Sequence, residues 1–280
     1  MTNKTELLSI VLLIKKTTDA TDGQPVWWGR AAHAFVLDLI RQADEKLAAE
    51  IHDSDSLKPF TVSSLIPVRP KQEENGCLYR LRITGLTAAV CAVLEDSLQS
   101  SGSLAPGKVI ELDYQPFTIQ EDGDTPSVRE WHGCGRYDLL ATSRLGSEAQ
   151  PPRRFGFVFT SPTAFHQAEK TMPLPLPGLV FGSLLERWNR YSPIQFPPEA
   201  RRYAEECLGI SGFDLHSRPT RVKNGGLRLG AIGEVSFTAL TYDRYWQSVL
   251  DVLSELAVFS GVGVMTSQGF GQCHRKDEQK

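Results

Sequence analysis

The hydrophobic period changes in the same order twice along this chain, and that order constrains the fold more than any single motif. Ser9–Lys15 is an apolar run of strand length. From Arg30 the spacing turns helical, with Val36, Leu39, Ile40 and Ala43 on one stripe, and Asp44 then reads as the N-cap of a further turn or two in which Leu47 and Ile51 meet at i, i+4. Phe60–Val68 and Cys77–Thr84 are β-branched and aromatic runs split by a polar turn over Lys71–Gly76. Leu86–Ser100 returns to helical register through Leu86, Val90, Leu94 and Leu98. Gly102, Pro106 and Gly107 break it, and Lys108–Phe117 is a closing strand. The order is β-α-β-β-α-β, the split βαβ unit of ferredoxin-like domains.

The second half repeats the order with insertions. Phe155, Phe157 and Phe159 alternate in the strand Arg153–Thr160, and Gly178–Tyr191 is a helix. An inserted helix follows at Pro198–Leu208. Phe213–Val222 and Leu227–Leu240 flank Lys223-Asn224-Gly225-Gly226, whose Asn-Gly pair is a strong hairpin signal. Asp243–Phe259 is a long amphipathic helix and Gly269–Arg275 a short closing strand. The fold expected is therefore α+β, two tandem ferredoxin-like (βαββαβ) domains. Residues 1–120 form the first, 121–127 a polar linker, and 128–280 the second, with its inserted helix and basic hairpin.

The 280 residues, 41% of them hydrophobic and 22% charged, supply enough apolar side chain for two such cores and exclude global disorder. The run Ile10–Ile14 is too short to span a bilayer, and no secretory signal is read at the start, so the chain is expected in the cytoplasm with no membrane partner. Cys77, Cys91, Cys134, Cys207 and Cys273 are scattered without a C-x-x-C pair, giving neither a disulfide framework nor a zinc knuckle. The net charge of −3 conceals a split. Residues 1–128 carry 12 Lys and Arg against 18 Asp and Glu, and residues 129–280 carry 18 against 15. A polyanion bound on one side is compatible with that division.

Three groups of residues carry candidate chemistry, each with a plainer alternative. Gly261-Val262-Gly263-Val264-Met265-Thr266-Ser267-Gln268-Gly269-Phe270-Gly271 would let a backbone approach an anion and offer amides to it, or is a long turn before an edge strand. It follows a helix and lacks Gly-Lys-Ser/Thr, so it is neither a P-loop nor a Rossmann fingerprint. His52 follows a helical turn and precedes Asp53 and Asp55, a setting that favours imidazolium and suits acid–base work; the alternative is a solvated loop histidine. His33 lies beside the first helix's stripe and reads as a partly buried structural histidine. Arg218, Arg221, Lys223 and Arg228 give the hairpin four cations and no acid, a phosphate-binding face or a solvated ribbon, with Arg187, Arg190, Arg201 and Arg202 nearby in sequence. The five tryptophans read as core or helix anchors. No cluster of His, Cys and carboxylates has metal-ligand spacing, and no cofactor is implied.

Several segments taken in order resemble the CRISPR-associated endoribonucleases that cut precursor crRNA within its repeats, members of the RAMP superfamily. They are Trp28–Ala34, Lys46–Ala48 to Ile51-His52, Lys58–Ser63, Thr160–Phe165, Pro175–Pro177, Leu184–Trp188 and the terminal Thr266–Gly271. The resemblance implies metal-independent cleavage, in which the RNA's own 2′-hydroxyl attacks the adjacent phosphate to leave a 2′,3′-cyclic phosphate and a 5′-hydroxyl. It places the family's catalytic histidine at His52, with Lys58 stabilising the extra phosphorane charge. Some members add a tyrosine on the first helix; the aligned position here is Leu37, which leaves the acid/base pair incomplete and makes His33 the candidate to fill it. By the same resemblance Gly261, Gly263, Thr266, Ser267, Gly269, Phe270 and Gly271 cradle RNA phosphates beside the first helix. Arg30, Arg218, Arg221, Lys223 and Arg228 then hold the repeat. The implied partners are CRISPR repeat RNA and other Cas proteins of an effector complex. A catalytically inactive RNA-binding subunit of such a complex, or a scaffold of the same fold, is the alternative.

Overall fold

The structure, a computed structural model, describes residues 4–17, 27–53, 57–68, 77–121, 130–221 and 226–276. They divide into two compact units, one comprising residues 1–134 with Ser267–Gly269 and the other 135–266 with 270–280. The expected linker lies outside the described residues apart from Glu121.

In the first unit β1 (Leu7–Lys16) is the central strand. It pairs antiparallel with β4 (Leu78–Gly85) on one side and β6 (Gln115–Gln120) on the other, and β2 (Phe60–Val62) and β5 (Val109–Leu112) complete the order β2-β4-β1-β6-β5. This is the arrangement a βαββαβ chain makes when each crossover carries a helix to one face. The register sets Ile10 opposite Ile83, Leu12 opposite Leu81 and Ile14 opposite Ile119. Against those side chains α1 (Gly29–Ala43) lays Ala32, Val36, Leu39 and Ile40, and α3 (Ala88–Leu98) lays Val90, Cys91 and Leu94, in one buried cluster.

Asp44 joins two helices by itself. Its amide closes α1 on Ile40 O at 2.7 Å, while its carboxylate accepts from Leu47 N at 3.0 Å to start α2 (Glu45–Asp53). Capping both helices at one residue makes the chain turn sharply, so the end of α2 is reached within a few residues.

Two strands expected to be continuous are broken. Lys108–Phe117 is a hairpin of β5 and β6, because Asp113 and Tyr114 adopt φ of 49° and 61°, the two left-handed residues of a tight turn. Asp-Tyr lacks the Asn-Gly signature, so the sequence concealed the reversal. Phe60–Val68 divides into β2 and β3 (Ile66–Pro67), with Ser63 between them bridging to Gly269.

After the three-residue β7 (Gly133–Gly135), the second unit builds a four-stranded antiparallel sheet from β8 (Arg154–Thr163), β11 (Leu208–Arg221), β12 (Leu227–Ala239) and β13 (Cys273–Arg275). Their order is β11-β12-β8-β13, the same permutation as the first. The helices α5 (Pro177–Tyr191) and α7 (Arg244–Ser260) cross over it, and α6 (Glu199–Cys207) is the insertion. Asp243 caps α7 by accepting from Trp246 N at 3.0 Å. The core is aromatic: Phe181 of α5 lies 5.6 Å from Phe155, 5.7 Å from Phe157 and 6.2 Å from Phe237 between ring centroids.

Two elements here lack a sequence counterpart. The helix α4 (Tyr137–Leu145) buries only Tyr137 and Ala141, too few for a visible stripe, and the hairpin of β9 (Phe165–Gln167) and β10 (Lys170–Met172) turns through Ala168 at φ 53°. The expected strand Gly269–Arg275 shrinks to β13, preceded by a single 3-10 turn at Thr266–Gln268. The strand β11 begins at Leu208 rather than Phe213. It is exposed on both faces along most of its length, so its side chains show no alternation.

Phe181→Ala empties the centre of this aromatic cluster and is expected to cost about 3–5 kcal/mol, read as a lowered denaturant midpoint.

Candidate active site

The first unit brings together residues from both ends of the sequence. The carbonyl of Gln268 approaches the first turn of α1 so closely that a Cβ on Gly29 would stand 1.8 Å from it. Only glycine permits this approach. The Trp27 indole Nε1 donates to the same carbonyl at 2.8 Å, the Trp28 amide donates to Ser64 Oγ at 3.0 Å, and Ser63 bridges to Gly269 in parallel. These contacts seat Ser267–Gly269 against α1.

One turn into α1, His33 is half-buried. Its Nδ1 lies 2.9 Å from Ser267 O, and its ring is tilted against Phe60 with centroids 5.3 Å apart. A carbonyl can only accept, so Nδ1 donates and the neutral ring carries its lone pair on Nε2. Burial pushes the imidazole below its usual 6.5, and the charges of Lys58 and His52 lower it further, against the opposing pull of the Ser267 carbonyl. His33 is therefore a neutral, oriented imidazole at pH 7.

His52 is exposed in the last turn of α2. Lys58 folds back on that helix end, with Nζ 2.5 Å from Ile51 O and 3.4 Å from His52 O, where a cation also meets the negative end of the helix dipole. The influence of both residues on His33 places all three expected groups in one neighbourhood. Arg30 is exposed on the first turn of α1, and Leu37 packs against the core.

The glycine segment is less open than an amide cradle requires. In the second unit Gly261 N donates to Ala257 O, Val262 N to Gly271 O, Gly263 N to Ser183 Oγ and Val264 N to Ala164 O. Phe270 N and Gly271 N donate to Met265 O and Pro162 O. Gly261 and Gly271 are buried and the Phe270 ring is fully so, beyond the reach of a base. Thr266 is buried as well, while Gly263 and Ser267 are half-exposed. Arg218 and Arg221 are exposed on β11. Arg228 is half-exposed on β12 opposite Thr220, and Lys223 lies outside the described residues. Arg187 is 3% exposed and so belongs to the interior, not to a surface face with its neighbours in sequence.

Sequence reasoning overlooked the support around His33: Trp27, Gly29, Phe60 and the Ser267 carbonyl. A Trp-Trp-Gly run just before a helix was the available signal, since a glycine at a helix start costs stability unless something must come close. The carbonyl had none, because any residue supplies one. Among the described residues no group of three or more His, Cys, Asp and Glu is placed to hold a metal, and no helix is long and apolar enough to cross a membrane.

Two family descriptions match the chain: "CRISPR Cas6 N-terminal domain" over residues 8–87 and "CRISPR-associated endoribonuclease Cas6" over residues 157–273. A CRISPR-associated endoribonuclease Cas6 of Mycobacterium tuberculosis is 32% identical over 168 residues, 59% of this chain. The chain spans about half the length of that curated relative, 52%. Among solved structures, the product complex of Thermus thermophilus Cas6 (TTHB231) superposes with a TM-score of 0.77 at 26% identity, covering 97% of this chain and 99% of its own. A Cas6-related protein of Pyrococcus furiosus shares the fold at a TM-score of 0.58 and 12% identity, over 98% of this chain and 100% of its own.

Gly29→Ala is expected to push Gln268 off α1 and release Ser267 from His33. A proton NMR titration should place His33 below 6.5 in the wild type and lower still in the variant, because the Ser267 carbonyl is the one partner that raises it; an unmoved titration would mean that the docking does not set the imidazole.

Proposed function

Because the chain belongs to the CRISPR-associated endoribonuclease Cas6 family, we propose that it cleaves CRISPR repeat RNA in the cytoplasm, by attack of a ribose 2′-hydroxyl on the adjacent phosphate. The observation that carries this reading is the imidazole of His33, neutral at pH 7, held by a carbonyl at 2.9 Å and neighboured by Lys58 and His52. Neutral Nε2 of His33 accepts the 2′-hydroxyl proton as the new P–O bond forms. The Lys58 ammonium stabilises the charge accumulating on the phosphorane oxygens. His52, exposed at the end of α2, donates a proton to the departing 5′ oxygen, so that a 2′,3′-cyclic phosphate and a 5′-hydroxyl result. The atoms balance without a metal or a cofactor. His33 takes the principal role over His52 because it is the oriented ring and its unprotonated form predominates at neutral pH.

The partners in this reading are the repeat RNA, held by shape and backbone as RNA helices commonly are, and other Cas proteins that receive the product. The exposed arginines Arg30, Arg218 and Arg221, with Arg228 and Lys223, supply the phosphate contacts, and Gly263 and Ser267 offer the open part of the glycine segment.

The deciding experiment incubates the chain with labelled repeat RNA in EDTA under single-turnover conditions. Cleavage is expected to persist, to vanish with a 2′-deoxy nucleotide before the scissile phosphate, and to slow by roughly 10²–10⁴-fold in His33→Ala. Binding without cutting would instead identify a silent RNA-binding subunit. The pH profile follows from the direction of the His33 shift. The unprotonated ring is the active base, so the rate should hold as pH falls through 6.5 and drop only below it. A rate that already falls with acidity above pH 6.5 would remove His33 from the base's role.

A further inference from the structure

Trp27 and Trp28 are adjacent and are put to different uses. Trp28 is buried, its ring meeting Phe117 edge-on with centroids 5.5 Å apart, and belongs to the core. Trp27 is only half-buried, in the chain just ahead of α1. Its Nε1 donates to Gln268 O at 2.8 Å. Two glycines border the indole: a Cβ on Gly29 would stand 2.7 Å from Nε1, and one on Gly269, whose φ is 92°, would stand 3.0 Å from Cζ2. The hydrogen bond and the two bare stretches of backbone fix the plane and the position of the ring.

Any side-chain donor would hold Gln268 O, and a fused aromatic ring left partly at the surface is not needed for that. Its place gives the ring a second use. The imidazole of His33 is held by Ser267 O and the indole by Gln268 O, consecutive residues of one 3-10 turn. Their Cα atoms are about 3.8 Å apart. In the proposed reaction His33 takes the proton of a ribose 2′-hydroxyl, and the base of that same nucleotide leaves the neighbouring carbon of the sugar. That base is therefore the one brought to the indole. Unstacked RNA bases are bound on aromatic faces, and a ring already locked in place loses little freedom when a base arrives.

We propose that Trp27 is the stacking platform for the base of the nucleotide whose 2′-hydroxyl attacks, and that it thereby orients that ribose in front of His33. The inference rests on the RNA-cleaving reading and deepens it: His33 moves the proton, and Trp27 positions the hydroxyl from which it comes. Stacking tolerates every base, so the platform selects an unpaired nucleotide at the cut rather than a particular letter.

The test compares repeat RNA with the same RNA lacking only the base 5′ to the scissile phosphate, its ribose and 2′-hydroxyl retained, at saturating protein under single-turnover conditions. Base removal should slow the wild type by on the order of tenfold. Trp27→Gln keeps a donor for Gln268 O and removes the ring; it is used if its thermal melt and His33 titration match the wild type. It should cut the intact RNA about as slowly and lose nothing further on the abasic RNA, because both changes delete one contact. Trp27→Phe keeps a ring and should remain slowed by base removal. Equal wild-type rates on the two RNAs would overturn the proposal, as would losses that multiply in Trp27→Gln. If Trp27→Gln fails its folding check, the wild type and Trp27→Phe decide, and a Phe variant indifferent to the base overturns the platform. Intact RNA left uncut by the wild type would instead defeat the cleavage reading beneath it.

Discussion

The first unit's chemistry depends on a backbone carbonyl approaching a helix where only a glycine leaves room. Gln268 O sits over Gly29, Trp27 holds the same oxygen, and the neighbouring Ser267 O takes the Nδ1 proton of His33. A single contact distance therefore sets a tautomer. With Nδ1 committed, the basic lone pair stays on Nε2, and burial against Phe60 keeps it unprotonated near neutrality. Removing the close approach would leave the histidine in place but free to rotate and to change tautomer.

The second requirement is that a cation and another imidazole lie nearby without neutralising the base. The double cap at Asp44 turns the chain from α1 into α2, and Lys58 returns to the last carbonyls of α2. Lys58 thereby serves the helix end and the neighbourhood of His33 together. The Lys58 charge disfavours the imidazolium form of His33, so in the proposed mechanism one ammonium would both keep the base unprotonated and face the phosphorane.

Much of the fold was readable because it rests on period and order. The stripe of α1, the Asp44 cap, the alternating phenylalanines of β8 and the Asp243 cap of α7 all follow from side-chain patterns that local physics fixes. The β5–β6 turn was not readable, since Asp113 and Tyr114 accept left-handed geometry without the usual residues. Nor was the extent of β11, where neither face is covered and alternation has nothing to report. At the candidate site His52 is legible as a histidine at a helix end, whereas Lys58 and a catalytic part for His33 enter only through the family resemblance. That reading puts His52 first; the preference for His33 proposed above rests on the Ser267 carbonyl, which no sequence pattern announces. The buried state of Arg187 was equally hidden, because a charged residue on an amphipathic helix is ordinarily assigned to solvent.

The span of the His33–Ser267 bond, 234 positions, has a consequence for biosynthesis. Every other support of that histidine comes from the first unit's own early segments, so a nascent polypeptide can fold α1 and bury the ring while its orienting carbonyl has yet to leave the ribosome. A partly translated product would carry the histidine, the lysine and the helices but not the proton arrangement. The proton arrangement of that imidazole would thus be set only after residue 267 has emerged and docked on α1.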